Sequence, residues 1–189
     1  MAKFYTKSRI LTISFLTVAA LMLSSAALAK KPEDRFTIVD KALEVNGESG
    51  EFSILIAALV GTGLVAPLDG NGQFTVFAPI DAAFEAAGFP DAQAMTDFID
   101  SSEANRATVS SILLYHVARG YRDSIDVLDS DQIRTMSRSF VYPDLSNPMA
   151  PAIQDNLGRN APLLLDLIDI ETDNGVIHVI TEVLLPFEL

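Results

Sequence analysis

The sequence predicts a single α+β domain behind an N-terminal export signal. Segments with a helical spacing of apolar residues dominate residues 36–117, whereas short strand-like segments separated by turns dominate after Gly120. Helices first and strands later favour α+β over an alternating βαβ arrangement. No internal repeat divides the chain further, and the chain contains no cysteine, so its core must suffice without disulfides.

The first 29 residues have the pattern of a cleaved secretory signal. Lys3, Lys7 and Arg9 precede an uncharged run over residues 10–29, whose last residues, Ala27 and Ala29, form an A-x-A cleavage site. An uncleaved membrane anchor is the alternative, because a run of this length just spans a bilayer. The short apolar centre, ILTISFLTVAALML, favours cleavage after Ala29, which leaves residues 30–189 as one domain with no membrane span.

The charge of the chain restricts the class of partner. The net charge is −12, and removal of residues 1–29 leaves ten lysines and arginines against twenty-five acids, a net charge of −15. This charge repels phosphate backbones, so we expect no nucleic-acid binding and a basic or neutral partner. The compact signal, the absence of N-x-S/T triplets and the absence of an apolar C-terminal tail indicate a secreted or periplasmic bacterial protein, and we expect a monomer.

Two helices are predicted before the first strand. Residues 36–45, FTIVDKALEV, place apolar residues at helical spacing, and the following NGESGE, with two glycines, predicts the end of this helix. Residues 52–60, FSILIAALV, are apolar nearly all round, which is typical of a helix buried on most sides. The GTG after it predicts its end, and we expect this helix at the centre of the helical layer.

The stretch FTVFAPIDAAF, residues 74–84, predicts a strand that leads directly into a helix. FTVFAP has the β-branched and aromatic residues of a strand, and Pro79 ends it because proline cannot donate to a sheet ladder. Asp81 stands where its carboxylate can cap the helix AAFEAAG, and Gly88 ends that helix. The stretch is therefore a predicted strand-to-helix corner without a nucleophile or metal ligand.

Both histidines of the chain fall in apolar patterns. Helices are predicted over 91–101 and 103–117; in the second, His116 shares one apolar stripe, and Arg119 with Gly120 supplies a cationic last turn and a stop. Strands are predicted for QIRTM, SFVYP, LLLDLIDIET and GVIHVITEVLLP, and His178 lies within the last. We expect each ring to be buried and neutral, donating one N–H and accepting at the other nitrogen, so that it joins two segments.

No catalytic or metal-binding constellation is evident, so we expect no enzyme activity, no cofactor and no metal. The carboxylates form two groups, neither of which has the ligand pattern of a calcium loop, and the second alternates with apolar residues like the solvent face of a strand. The groups are Asp123, Asp126, Asp129 and Asp131, and Asp169, Glu171 and Asp173. The alternative function is a ligand-binding protein or enzyme in which Asp123 and Asp126 converge on an apolar cleft.

Several segments resemble the fasciclin (FAS1) domain family. FTVFAPIDAAF closely resembles the first family signature, FTVFAPTDAAF, and NGVIHVITEVLLP over 174–186 resembles the second, NGVIHVIDxVLLP. Between them, LLYHVARG over 113–120 looks like the family's Tyr-His segment, and TIVDKALEV and FSILIAALVGTGLVAPLDG are similar to its N-terminal helices. The resemblance covers a core from Phe36 to Pro186, with all segments in family order.

The resemblance implies a FAS1 fold, a β-sandwich-like wedge of short strands with several helices along one side. It further implies an exported, non-enzymatic domain for cell adhesion or surface interaction with protein, matrix or envelope partners. The family associates adhesion with a Tyr-His segment and an Asp-Ile pair, here Tyr115, His116, Asp169 and Ile170. The motif residues with an expected structural role are Phe74, Thr75, Phe77, Pro79, Asp81, Phe84, Asn174, Gly175 and His178.

Three departures from the family pattern bear on local structure. Ile80 replaces the usual threonine, so the capping hydroxyl is missing and Asp81 is the expected replacement cap. Thr181 stands where the second signature often has aspartate. Residues 135–151 lack the usual glycine turn between two strands, which predicts a locally remodelled region, so the family's partner specificity does not carry over to this segment.

Overall fold

Helices and short strands follow each other in the order expected of an α+β domain. The computed structural model describes residues 35–188, and the predicted signal lies outside the described residues. The helices are α1 (Ile38–Ser49), α2 (Ser53–Thr62), α3 (Val65–Leu68), α4 (Asp81–Ala86), α5 (Ala92–Ser101), α6 (Glu103–Tyr115) and α7 (Ser124–Leu128). The strands are β1 (Phe74–Pro79), β2 (Val117–Arg119), β3 (Ile133–Arg134), β4 (Phe140–Asp144), β5 (Ala152–Gln154), β6 (Asn160–Pro162), β7 (Ile170–Thr172) and β8 (Gly175–Ile180).

The strands form two sheets of four. The first has the order β2-β1-β8-β7, in which β1 and β8 are parallel and the other pairs antiparallel. The second has the order β3-β4-β5-β6 and is antiparallel throughout. Single bridges, Ala118 to Thr135 and Leu163 to Ile180, join the two sheets. The α+β class and the sandwich-like arrangement are thereby confirmed.

Two apolar cores lie on opposite faces of the first sheet. Helices α1, α2, α5 and α6 pack with one face of that sheet around residues that include Phe52, Ile54, Met95, Ile99 and Val179. The second core fills the space toward the other sheet and includes Phe77, Tyr115, Val141, Ile153 and Ile180. Strands β1 and β8 are buried along their whole length, as expected for strands covered on both faces.

The strand-to-helix corner forms as predicted, but Asp81 has a different role. Along β1 the N–H groups point alternately to the two neighbouring strands: Phe77 N–H donates to His116 O on the β2 side, and Ile80 N–H donates to Ile180 O on the β8 side. Position 79 therefore faces the β2 side, but β2 no longer lies opposite it, because its first residue, Val117, pairs with Val76. The missing N–H of Pro79 therefore costs no ladder bond. Asp81 does not cap α4; its carboxylate accepts from Ser53 N–H and Ile54 N–H at 3.1 and 2.9 Å and caps α2.

Two predicted helix ends were wrong. Helix α1 continues through NGES and ends at Gly50, because Gly47 is tolerated within the helix and only Gly50 adopts a left-handed φ of 77°. Helix α6 ends at Tyr115, short of the predicted stop at Arg119 and Gly120. Residues 117–119 instead pair with β1 as strand β2, so sheet formation overrides the helical pattern there.

The region 163–172 is not the continuous strand that was predicted. Residues Leu165–Leu167 form one turn of 3-10 helix, and Asp169 adopts a left-handed φ of 55°, so only Ile170–Thr172 pair with β8. The alternation of Asp169 with Ile170 is consequently not the solvent face of a strand. In the segment 135–151, Arg138 adopts a left-handed φ of 72° in the turn between β3 and β4.

Candidate functional site

Tyr115 lies inside the domain and joins three elements. Its ring is fully buried in the core between the two sheets. Its hydroxyl donates to Phe140 O at 2.7 Å and accepts from Asn156 N–H at 3.0 Å. Burial raises the pKa of Tyr115 to about 12, so the hydroxyl remains a neutral donor at physiological pH. The expected direct contact between Tyr115 and a partner is not supported by this placement.

His116 is also buried, and its ring joins α6 to the last segment of the chain. Nδ1–H donates to Ile112 O at 2.8 Å, and Nε2 accepts from Leu184 N–H at 2.9 Å. This pattern requires a neutral ring with its proton on Nδ1. Burial lowers the pKa of His116 to about 4, against the opposing effect of the bond to Ile112. His116 is thus buried and joins two segments, as the apolar pattern around it predicted.

His178 also joins two segments of the chain through its ring, in the first sheet. Its Nε2 lies 2.9 Å from Arg122 O, and its Nδ1 accepts from Asp169 N–H at 3.3 Å. Its ring centroid lies 5.9 Å from that of Phe77 on the neighbouring strand. Burial lowers the pKa of His178, so the ring is neutral and the donor is Nε2. The backbone of Asp169 is thereby attached to the buried centre of the sheet.

The side chain of Asp169 is held at the surface by Ser124. Its carboxylate oxygens accept from Ser124 N–H at 2.6 Å and from Ser124 Oγ–H at 2.5 Å. These bonds connect the start of α7 to the segment before β7. The short polar side chain of Asp169 also tolerates the left-handed backbone that turns the chain into β7. Asp169 and the adjacent half-buried Ile170 are therefore fixed in position and partly accessible.

Exposed apolar and acidic groups surround this junction. We define the Asp169 surface as Tyr121, Ile125, Asp169, Ile170 and Glu171. Ile125, next to Ser124, is 68% exposed, and Tyr121 is 42% exposed. The Tyr121 hydroxyl donates to Glu171 Oε1 at 3.1 Å, and partial burial together with this bond raises the pKa of Tyr121. The surface thus combines apolar contact area with carboxylates at fixed positions.

Two further acidic residues singled out from the sequence, Asp123 and Asp126, lie in α7 and its cap. Asp123 caps α7 by accepting from Asp126 N–H at 2.8 Å. Within residues 35–188 there is no group of three or more histidine and acidic side chains suited to a metal ion. An apolar void of about 30 Å³ between helices and sheet includes His116 in its lining, and an open depression of about 520 Å³ is lined by Arg159 and Glu182. Neither Asp123 nor Asp126 lines these two cavities.

The motif residues stabilise the frame that carries the Asp169 surface. The Thr75 hydroxyl donates to Gly120 O at 2.8 Å and accepts from Arg122 N–H at 3.0 Å. Buried Asn174 accepts from Ile38 N–H at 2.8 Å and donates to Leu68 O at 2.6 Å. A Cβ on Gly175 would lie 2.1 Å from Phe74 O, so only glycine fits beside β1. Phe74, Phe77 and Phe84 are core residues.

Two groups of important residues were not singled out from the sequence. Ser124 and Ile125 belong to the five-residue helix α7, which is too short to produce a periodic signal. Asp155 is buried and accepts from Leu157 N–H, Arg159 N–H, the Arg159 guanidinium and Leu185 N–H. The sequence signal for such a turn is an aspartate followed three residues later by a glycine, here DNLG at residues 155–158.

The sequence pattern of the Fasciclin domain matches residues 50–186, most of the chain. This chain belongs to the fasciclin domain family. Similarity to a solved structure agrees with the fold: a FAS1 domain pair from the insect cell adhesion molecule fasciclin I matches with a TM-score of 0.61 at 19% identity. That match covers 79% of this chain and 50% of the insect chain. The FAS1 fold predicted from the sequence is confirmed.

Relatives of this fasciclin domain occur in proteins of very different length. Protein sll1483 of Synechocystis is 28% identical and is matched over 96% of this chain and 98% of its own length. The pig transforming growth factor-beta-induced protein ig-h3 is 27% identical over 76% of this chain, which spans only 19% of that protein. Human periostin is 22% identical over 79% of this chain, which spans 17% of it. No helix within residues 35–188 has the length and apolar character needed to cross a membrane.

Proposed function

We propose that this fasciclin domain is an exported, non-enzymatic adhesion module that binds a protein or matrix partner through the Asp169 surface. The observation that carries the proposal is the fixed exposure of Asp169 beside apolar Ile125 and Tyr121. Side chains that are both exposed and held in place lose little conformational entropy on binding. Interfaces commonly have such a centre of aromatic and aliphatic groups with polar groups around it.

The family relationship supports an adhesive function without naming a partner. The insect molecule whose structure matches is a cell adhesion molecule, and this domain matches one part of each of the long relatives described above. In our proposal Ile170 and Asp169 contact the partner, whereas Tyr115 and His116 act by maintaining the fold. The net charge of −12 favours a partner whose contact surface is neutral or basic.

We further propose that the domain functions outside the cytoplasm of a bacterium, as a monomer. The cationic start and A-x-A pattern of residues 1–29 support export, and the similar proteins of Synechocystis support a bacterial origin. The strong negative charge opposes self-association at low ionic strength. The alternative of a ligand-binding cleft built from Asp123 and Asp126 is not favoured, because Asp123 caps a helix and Asp126 is exposed.

Binding assays with paired surface variants test the proposed site. Purified protein is immobilised and exposed to envelope and matrix fractions, beside the variants Ile125→Ser and Glu171→Gln. The matched control is Val60→Ser on α2, because Val60 is 64% exposed and Ile125 is 68% exposed. We expect Ile125→Ser to lose most of the captured partner, and Val60→Ser to retain it.

Thermal unfolding of every variant is measured first, so that a loss of binding cannot be attributed to a loss of fold. Capture that is lost equally with Ile125→Ser and Val60→Ser would indicate non-specific apolar adsorption and would contradict the proposal. Capture that is unchanged by both Ile125→Ser and Glu171→Gln would remove the Asp169 surface from the adhesion function.

A further inference from the structure

Two arginines stand side by side where the two sheets meet. Strands β2 and β3 are joined by the antiparallel bridge between Ala118 and Thr135, and Met136 N–H donates to Val117 O at 2.7 Å in the same register. This register places Arg119 directly opposite Arg134. Because Ala118 and Thr135 are buried, the next residue on each strand points to the other face, where Arg119 and Arg134 are exposed.

A third arginine, Arg122, is hydrogen-bonded to the backbone of Arg119. The Arg122 guanidinium donates through Nη1 to Arg119 O at 2.6 Å. It folds back over Gly120, since a Cβ built on that glycine would lie 3.4 Å from Arg122 Nη1. We call Arg119, Arg122 and Arg134 the arginine patch. The positions of the three residues follow from backbone register and one hydrogen bond.

The arginine patch has no ion-pair partner within residues 35–188. The ion pairs of lysine and arginine in residues 35–188 involve Lys41, Arg106 and Arg159, and none involves the arginine patch. This is unexpected in a chain with twenty-five acidic and thirteen basic residues. Like charges directly opposite each other on paired strands are destabilising. The register therefore predicts a repulsion between Arg119 and Arg134 that no ion pair within residues 35–188 offsets.

We propose that the arginine patch binds carboxylate or sulfate groups of an acidic polysaccharide. The planar guanidinium presents forked N–H donors that match the oxygens of these anions. A nucleic acid or an acidic protein would bring a dense or broad negative surface against a chain of net charge −12. A polysaccharide presents its anionic groups on a single thin strand of sugar rings, so it can contact the patch while it covers little of the acidic surface.

This inference goes beyond the proposed adhesion site, because it uses different residues and a different class of partner. The Asp169 surface offers apolar area and carboxylates, whereas the arginine patch offers cationic donors. Substitution of Asp169 is therefore expected to leave polysaccharide binding unchanged. Either assignment can fail without the other.

The test is calorimetric titration of the purified protein with defined polymers. The probes are alginate, a polyuronate, dextran sulfate, uncharged dextran and poly-glutamate. We expect alginate or dextran sulfate to bind, uncharged dextran not to bind, and the affinity to fall as salt is raised. The double variant Arg119→Gln, Arg134→Gln is expected to lose about tenfold or more in affinity.

Two further variants separate charge from geometry. Lys41→Gln, Arg138→Gln removes the same charge outside the patch and is expected to retain affinity. Arg119→Lys, Arg134→Lys retains the charge without the guanidinium fork and is expected to bind more weakly than wild type. Because Arg119 and Arg134 repel each other, the glutamine double variant should also melt no lower than wild type.

Each pattern of results decides the proposal. Binding of alginate or dextran sulfate that depends on Arg119 and Arg134 supports it and identifies the anionic group. Binding that the control variant loses equally would show a general charge effect and would overturn the site. Absence of binding to both anionic polysaccharides, or binding of poly-glutamate alone, would overturn the polysaccharide as the partner.

Discussion

Tyr115 and His116 lie inside the domain, whereas Asp169 and Ile170 lie at its surface, although the family resemblance assigns all four to one function. Tyr115 joins β4 and the loop after β5, and His116 joins α6 to Leu184. Asp169 binds Ser124 at the surface and leaves apolar neighbours accessible. We therefore expect the first pair to influence a partner through the fold, whereas our proposal gives the second pair direct contact with it.

Continuous contacts connect the two pairs. Phe77 N–H donates to His116 O, and the Phe77 ring packs beside the His178 ring. His178 in turn accepts from the backbone N–H of Asp169. We therefore expect a change at His116 to affect the position of Asp169 through these buried groups. Binding that is lost on mutation of either pair can have different causes, and stability measurements distinguish them.

The largest effect is expected from Tyr115→Ala, which tests the buried pair. Removing a fully buried aromatic ring typically costs about 3–5 kcal/mol in the free energy of unfolding. In the matched control Tyr115→Phe the ring remains, but Phe140 O and Asn156 N–H lose their partner, which costs about 1–3 kcal/mol.

Urea denaturation measures both values, and partner capture is then assayed at a temperature where each variant is folded. We expect folded Tyr115→Phe to bind like wild type, because the hydroxyl never reaches the surface. A Tyr115→Phe variant with wild-type stability and no binding would assign the tyrosine a direct contact after all.

Acidification is the second way to disturb the buried pair. Burial lowers the pKa of His116 from 6.5 to about 4, and burial also lowers the pKa of His178. Between pH 6.5 and about pH 4, His116 is protonated in the unfolded chain but neutral in the folded chain. The free energy of unfolding therefore falls as the pH drops through this range. His116 alone accounts for a loss of about 3 kcal/mol over this range.

Chemical denaturation of wild type and His116→Gln across this pH range isolates the contribution of His116. The glutamine side chain cannot take up a proton, so the variant is expected to be less stable at neutral pH but to lose less stability on acidification. Parallel pH profiles for the two proteins would contradict a buried neutral His116.

The third effect separates Asp169 from the buried pair. Asp169→Ala removes two hydrogen bonds to Ser124 and places alanine at a left-handed φ of 55°. We expect a loss of about 1–3 kcal/mol in the free energy of unfolding, smaller than for Tyr115→Ala. Asp169→Asn is the control, since its amide oxygen can still accept one bond and asparagine tolerates this backbone. Partner capture that persists in both folded variants would exclude Asp169 from the interface.

The sequence predicted elements whose signals are local and missed arrangements that depend on distant contacts. The corner at residues 74–84 was predictable because a strand-like run leads directly into Pro79 and a short helical run that stops at Gly88 follows it. The target of Asp81 was not, because its carboxylate caps α2, whose first turn lies 27 and 28 residues earlier in the chain. The family match could indicate Asp169 as a site residue, but its bond to Ser124 spans 45 residues and has no sequence pattern.

Burial of the histidines was predictable because each shares one face with aliphatic residues. His116 does so at the spacing of a helix and His178 at the alternation of a strand. The end of α6 was not, because residues 117–119 satisfy a helical stripe and a strand equally well, and pairing with β1 decides between them. Likewise, the alternating pattern of LLLDLIDIET indicates a strand, but the 3-10 turn at Leu165–Leu167 and the left-handed residue Asp169 interrupt it. Long-range pairing and single backbone reversals thus account for most of the differences.

The smallest effect tests the rim of the Asp169 surface without disturbing the fold. Burial and the hydrogen bond to Glu171 raise the pKa of Tyr121, and Glu171→Gln removes the charged acceptor. We expect the pKa of Tyr121 to fall toward its ordinary value of 10.0 in an ultraviolet absorbance titration. The free energy of unfolding should change by less than about 0.5 kcal/mol, because both side chains are exposed. If partner capture nevertheless weakens, the charge of Glu171 acts on the partner itself, which is the behaviour expected of a surface residue and not of Tyr115 or His116.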